Sequence, residues 1–94
     1  MIFDVYQQDQ IDQGYQNGLT CEQVTVYAYD RFHWEQMLEI RLGFENGLSF
    51  EQVKLYTDDR LTWGHMMRIR RLLEKEPDGK SARLLVAGFN KEIF

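Results

Sequence analysis

Apolar positions recur along this chain at helical spacing, and the same pattern is written more than once. In residues 34–46, Trp34, Met37, Leu38, Ile40, Leu42 and Phe44 cover most of a helix circumference. That breadth predicts a helix packed on several sides. In residues 63–76, Trp63, Met66, Met67, Ile69, Leu72 and Leu73 make an apolar side, and Arg68, Arg71 and Lys75 fall on the other. Two shorter helices are predicted over 21–29 and 50–58. Val24, Tyr27 and Ala28 share a face of the first, and Phe50, Val53, Tyr56 and Thr57 share a face of the second. Residues 7–17 are rich in Gln and Asp and make a weak helix by themselves. Residues 1–6 read equally as a short strand or a first helical turn, and the tail around 82–89 as a short helix or strand.

The pattern repeats at an offset of 29 residues. Aligning 8–45 with 37–74 gives 16 identities in 38 positions, too many for chance, so the repeat governs the reading of every segment. Ile11, Gly14 and Tyr15 align with Ile40, Gly43 and Phe44, which makes 7–17 a helix by correspondence. Asn17-Gly18-Leu19 and Asn46-Gly47-Leu48 have the form of helix stops, with Gly at the left-handed position and an apolar residue packing back. Thr20 and Ser49 then open new helices, with Gln23 and Gln52 three residues on, as in a capping box. Polar turns follow at 30–33 and 59–62. Phe32 and Leu61 are expected to plug these turns into the core, with His33 and Thr62 at N-cap positions.

These signals predict an all-α protein, with tandem 29-residue helix-turn-helix repeats forming a small helical bundle or solenoid. One domain spans 1–94: a partial repeat 8–17, units 18–46 and 47–76, and a non-repeat tail 77–94 that starts at Pro77. The first and last segments are candidates to cap the core, packed together. The expected core comprises Ile11, Tyr15, Val24, Tyr27, Trp34, Met37, Ile40, Phe44, Val53, Tyr56, Trp63, Met66 and Ile69. Arg41 and Arg70 repeat, and are expected to bond helix-end carbonyls or Asp30 and Asp59.

Composition changes this picture in two respects. The chain is 44% apolar and 14% aromatic, so it has the means to bury a core and is not a disordered segment. Its net charge of −4 is unevenly distributed: residues 1–30 carry −5, residues 31–59 carry −3 and residues 60–94 carry +4. Such polarity suggests head-to-tail contacts or a charged partner surface, against the simpler reading of a solvated gradient. The single cysteine excludes an intrachain disulfide and fits a reducing compartment. No apolar run approaches the roughly 20 residues of a membrane span. The expected location is therefore the cytoplasm.

Candidate chemistry is thin. His33 and His65 occupy different repeat positions with no ligand at metal-binding spacing, and read as a turn or cap residue and a surface residue. Cys21 follows a predicted N-cap, but Phe50 holds its position in the next unit, so it reads as a small packing residue. No carboxylate pair is marked as acid and base, and no Gly-rich phosphate loop is present. An enzyme is not expected, nor any cofactor or metal. Residues 49–75 read helix, turn, helix, with Arg68, Arg70, Arg71 and Lys75 on the second helix and Arg60 in the turn, which is compatible with DNA recognition. Three features oppose it: the long turn, the late placement of the arginines and the acidic chain as a whole.

The segment Gln36-Met37-x-x-Ile40-Arg41-x-Gly43-Phe44-x-x-Gly47-Leu48, followed by Tyr56, resembles a short helical repeat of bacterial proteins often found on phages and other mobile elements. The pattern there is Gln-Met-x-x-Ile-Arg-x-Gly-Leu-x-x-Gly-Leu with a later Tyr-Ala, and the likeness covers residues 8–74. Tyr27-Ala28 keeps that pair, Tyr56-Thr57 does not, and Leu72-Leu73-Glu74-Lys75 loses the Gly. The resemblance implies a non-enzymatic protein-binding module of a phage or mobile element, acting in the bacterial host cell. Its expected partner is a host protein that it occludes, with an anti-CRISPR-like inhibitor of a defence nuclease as one form. The expected contact residues are Arg60, Arg68, Arg71 and Lys75 on the basic side, and Asp4, Asp9 and Asp12 on the acidic side. The acidic residues could mimic nucleic-acid phosphates. A homodimer would cover apolar ends, and a DNA-binding helix-turn-helix protein is the alternative.

Overall fold

A computed structural model describes residues 2–93; Met1 and Phe94, the outermost residues of the two ambiguous terminal segments, lie outside the described residues. Within them the chain is all-helical: α1 (Val5–Gln16), α2 (Cys21–Tyr27), α3 (Trp34–Glu45), α4 (Phe50–Lys54), α5 (Trp63–Lys75) and α6 (Lys80–Ile93). The long helices pack in a row, α1 against α3, α3 against α5, and α5 against α6. Short helix α2 packs on α1 and α3, and α4 on α3. The body measures 33 × 27 × 17 Å. Its thin dimension is less than two helix diameters, which are about 10–12 Å each.

The ambiguous ends are helical. Asp4 caps α1, its carboxylate accepting from the Gln7 amide at 2.7 Å, so Val5 and Tyr6 form the first turn. Residues 82–89 lie within α6, which covers α5 rather than pairing with the first segment. The expected stops and starts are present. Gly18 and Gly47 both take φ of 92°, and the amides of Leu19 and Leu48 reach back to the carbonyls of Gly14 and Gly43 at 2.9 and 3.0 Å. This is the Schellman closure that glycine permits. Thr20 and Ser49 accept from the Gln23 and Gln52 amides at 3.2 Å.

The two short helices end earlier than periodicity suggests. After Tyr27 the chain passes through Ala28 at φ −79°, ψ 64°, with the Tyr29 amide bonded to the Tyr27 carbonyl at 2.8 Å. That is an inverse γ-turn. The bond from the Asp58 amide to the Tyr56 carbonyl, 2.9 Å, closes the same turn after Tyr56. Each tyrosine is thereby presented at a helix end and driven into the core. Tyr27 and Tyr56 are wholly buried, and their hydroxyls donate to the carbonyls of Gln10 and Glu39 at 2.8 and 2.9 Å. Burial pushes both phenols well above their ordinary pKa, so they remain neutral donors.

The core holds Ile11, Val24, Tyr27, Met37, Ile40, Phe44, Val53, Tyr56, Met66 and Ile69 as expected, with Phe32 and Leu61 plugging the turns. Leu48, Leu73, Ala82 and Phe89 join them. Three expected core residues are not in it: Tyr15, Trp34 and Trp63 are 50%, 37% and 50% exposed. Tyr15 lies near the end of α1, with its hydroxyl turned to the Cys21 thiol. Trp34 and Trp63 are the first helical residues after their caps.

Gly14 and Gly43 sit where α1 and α3 are crossed by these tyrosines. A Cβ at either position would collide with the hydroxyl of Tyr27 or Tyr56. Gly43→Ala is therefore expected to destabilise by about 1–3 kcal/mol, the usual cost of overpacking. Gly88→Ala, in an exposed turn of α6 with no atom near the new methyl, is expected to stabilise by about 0.5–1 kcal/mol through helix propensity. Urea unfolding of the two variants checks the pair; equal effects would contradict the close approach at Gly43.

Candidate interaction surface

Most buried polar side chains of this protein are consumed in holding its long helices together. Gln7 and Gln36 each occupy the third position of a long helix. Their carbonyl oxygens accept from the cap amides of Asp4 and His33 at 2.9 and 2.8 Å. Their amide nitrogens cross to the next turn: Gln7 to the Asp30 and Phe32 carbonyls at 3.2 and 2.8 Å, Gln36 to the Asp59 and Leu61 carbonyls at 3.0 and 2.7 Å. The corresponding position in α5 is His65. Its ring is half-buried and stacks on Phe89 of α6, with centroids 3.8 Å apart, so it is not the surface residue expected.

Arg41 and Arg70 are buried as well, with partners other than those expected. Arg41 donates through Nε to Gln10 at 3.0 Å and through Nη1 to Glu45 at 2.9 and 2.7 Å. Arg70 makes the equivalent contacts with Glu39 at 2.9 Å and Glu74 at 3.0 Å. Burial alone would lower the Arg70 pKa, but the two carboxylates outweigh it and hold the guanidinium above its ordinary value. Asn17 and Asn46 close each network by donating to Glu45 and Glu74 at 3.1 and 2.7 Å. Arg70 thus serves packing and is withdrawn from the basic helix side on which the DNA-binding alternative counted it. Cys21, expected to pack inside, is exposed. Among the described residues no three His, Cys, Asp or Glu side chains gather as metal donors, and no helix is long and apolar enough to cross a membrane.

The remaining expected site residues separate into two ends. Arg68, Arg71 and Lys75 lie together along α5 and line a groove of about 540 Å³, closed on its other side by Ser81, Leu84 and Leu85 of α6. Arg68 also lies over the Phe89 ring at 5.6 Å. Arg60 does not join them. It stays in the turn before α5, bonded through Nε and Nη2 to Asp58 at 3.0 and 2.8 Å, and this contact lowers the Asp58 pKa. At the other end of the helix row, Asp9 and Asp12 stand on the outer face of α1 beside Val5, Tyr6 and Gln8. They accept from Gln13 and Gln8 at 2.6 and 3.0 Å. Asp4 is engaged as the α1 cap.

A third feature escaped the sequence reading. Val5, Trp34 and Trp63 hold equivalent positions, each at the first turn of a long helix, and each is exposed. Tyr6 leans on Trp34 with ring centroids 6.0 Å apart, and a depression of about 410 Å³ separates His33, Glu35 and Gln36 from Thr62 and Trp63. The helix starts therefore form an aromatic edge. The signal was available: a tryptophan directly after a cap residue lies at the end of the helix, one turn before its packed flank. Comparison with protein-family models, with curated proteins and with solved structures finds no match to this chain.

The two arginine networks differ in one group, Gln10 in one and Glu39 in the other. Arg70→Met strands the buried Glu39 carboxylate and is expected to cost about 3–5 kcal/mol, as for a broken buried pair. Arg41→Met leaves the neutral Gln10 amide and a half-buried Glu45 carboxylate that keeps its bond from Asn17, and is expected to cost less, about 1–3 kcal/mol. Glu39→Gln, which copies the Gln10 arrangement, is expected to restore most of the stability of the Arg70→Met chain when the two are combined. Chemical denaturation of the four chains is the check.

Proposed function

We propose that this chain is a stack of 29-residue helix-turn-helix units, a partial unit followed by two full ones and closed by α6. It works as a non-enzymatic protein-binding module. The observation that carries this reading is the aromatic edge. A position the repeat would be expected to bury is instead exposed twice as tryptophan, with Tyr6 and Val5 continuing the line. Exposed, aligned aromatics are costly to leave in water and are the side chains most enriched at the energetic centres of protein interfaces. Buried ionisable groups support it by serving the fold: Arg41 is paired with Glu45, and Arg70 with Glu39 and Glu74. The resemblance to phage and mobile-element repeats adds the context. The partner is proposed to be a host protein, occluded rather than modified, with a defence nuclease as one target class, and the bacterial cytoplasm as the place of action.

Trp34→Ser with Trp63→Ser is expected to leave the fold intact and to abolish capture of that host protein. A photo-crosslinking residue at position 63 should join it, and one at Glu22 on α2 should not. Undiminished capture by the double variant would overturn the assignment of the edge.

DNA binding has one observation in its favour, the shared exposure of Arg68, Arg71 and Lys75. The same groove argues against it, because α6 runs beside the basic face where a recognition helix needs open flanks to enter a major groove about 12 Å wide. The module reading expects no fluorescence-anisotropy change with a random duplex, even at low salt. Binding that weakens steeply with salt would put the helix-turn-helix reading first.

A further inference from the structure

We infer that the protein associates with itself head to tail, the acidic outer face of α1 in one copy seating in the basic α5–α6 groove of a second copy. The inference uses the stacked-unit reading above and is independent of any host partner. It begins from how the long helices meet inside one chain. The α3 face that meets α1 includes Arg41, which bonds Gln10; the α5 face that meets α3 includes Arg70, which bonds Glu39. In the 29-residue correspondence, the matching position on α1 is Asp12. Likewise Gln8 stands where Met37 and Met66 stand, and Val5 where Trp34 and Trp63 stand. This face of α1 is thus equivalent to a helix-docking face, but no described residue covers it: Val5 is 80% exposed, and Gln8, Asp9 and Asp12 are exposed with it.

Its chemistry specifies what would cover it. Where the inner faces carry a cation that finds an acceptor across the interface, this one carries carboxylates, so the complementary surface is basic with an apolar floor. The α5–α6 groove has that composition. Arg71 and Lys75 are exposed and make no ion pair among the described residues. Leu84, 70% exposed, offers an apolar contact for Val5 and Tyr6. The two faces sit on α1 and on α5–α6, the two ends of the row α1–α3–α5–α6. One copy therefore presents both halves of the interface at opposite ends. A contact of that kind is heterologous, closing as a ring or growing as a filament according to the rotation between copies.

Sedimentation velocity of the full chain, from about 10 µM to about 1 mM to bracket a weak interface, is the test. The expected result is a mass that rises with concentration. Raising salt from about 0.1 M to about 1 M, which shortens the screening length from about 10 Å to about 3 Å, should weaken the association about tenfold or more. Two variants separate the halves: Val5→Gln with Asp9→Asn and Asp12→Asn removes the acidic face, and Arg71→Gln with Lys75→Gln and Leu84→Gln removes the groove. All six positions are exposed, and thermal melts confirm folding. Each variant alone should be monomeric, and an equal mixture should regain a one-to-one complex, because each supplies the half the other lacks. A wild-type chain that stays monomeric throughout overturns the inference. So does an oligomer lost in only one variant, which would be a symmetric dimer through that face, or a mixture that fails to associate. None of these results depends on Trp34 or Trp63, so the host-binding reading stands or falls separately.

Discussion

A phenol hydroxyl resting where a methyl group would otherwise be sets the geometry of this protein. Tyr56 reaches the Glu39 carbonyl only because Gly43 has no Cβ, and Tyr27 reaches Gln10 only because Gly14 has none. Each hydroxyl has to find an acceptor once its ring is fully buried, since an unpaired buried hydroxyl costs about 1–3 kcal/mol. The nearest acceptor is a helix carbonyl, and the glycine removes the obstacle. The same glycine carbonyl closes the Schellman stop of its helix. One residue therefore fixes the helix end and the docking of the next short helix together, and the inverse γ-turn after the tyrosine follows from it.

From that contact the remaining order propagates by spacing. The tyrosine bonds span 17 residues, the glutamine bonds 23 and 25, and the interhelical arginine bonds 31. Each ties a segment to its neighbour along the row of helices, and each appears twice with nearly the same length. Stability is then assembled from contacts between adjacent elements, as in proteins whose repeats touch only their neighbours. Where the series changes, the chemistry changes with it. His65 replaces the glutamine and stacks on Phe89, so α6 is held by an aromatic contact where turns are held elsewhere by amide bonds.

The charged side chains divide between fold and surface. The cations and carboxylates that serve the fold are buried and paired. Those left over are sorted by their place in the chain, acidic on α1 and basic along α5. Between them runs the aromatic edge of helix starts. Tryptophans exposed at helix starts and opposite charge at the two ends of the helix row are the arrangement on which both proposals draw.

The helical class, the helix stops at Gly18 and Gly47, the caps at Thr20 and Ser49, and most of the core were legible in residue order, because these depend on local backbone preference and on 3.6-residue spacing. Periodicity could not separate Trp34 and Trp63 from Met37 and Met66. A helical wheel records angle around the axis but not distance from the helix end, and each tryptophan is the first residue of its helix. The repeat also gave Arg70 a packing role but not its partners, which are Glu39 and Glu74 rather than helix-end carbonyls or Asp59. Glu74 lies one turn along α5 from Arg70, but Glu39 lies on α3, and no spacing along one helix reveals a partner on another. Which cations stay exposed along α5, that α6 walls them into a groove, and that no described residue covers the acidic face of α1 follow only from how the helices pack.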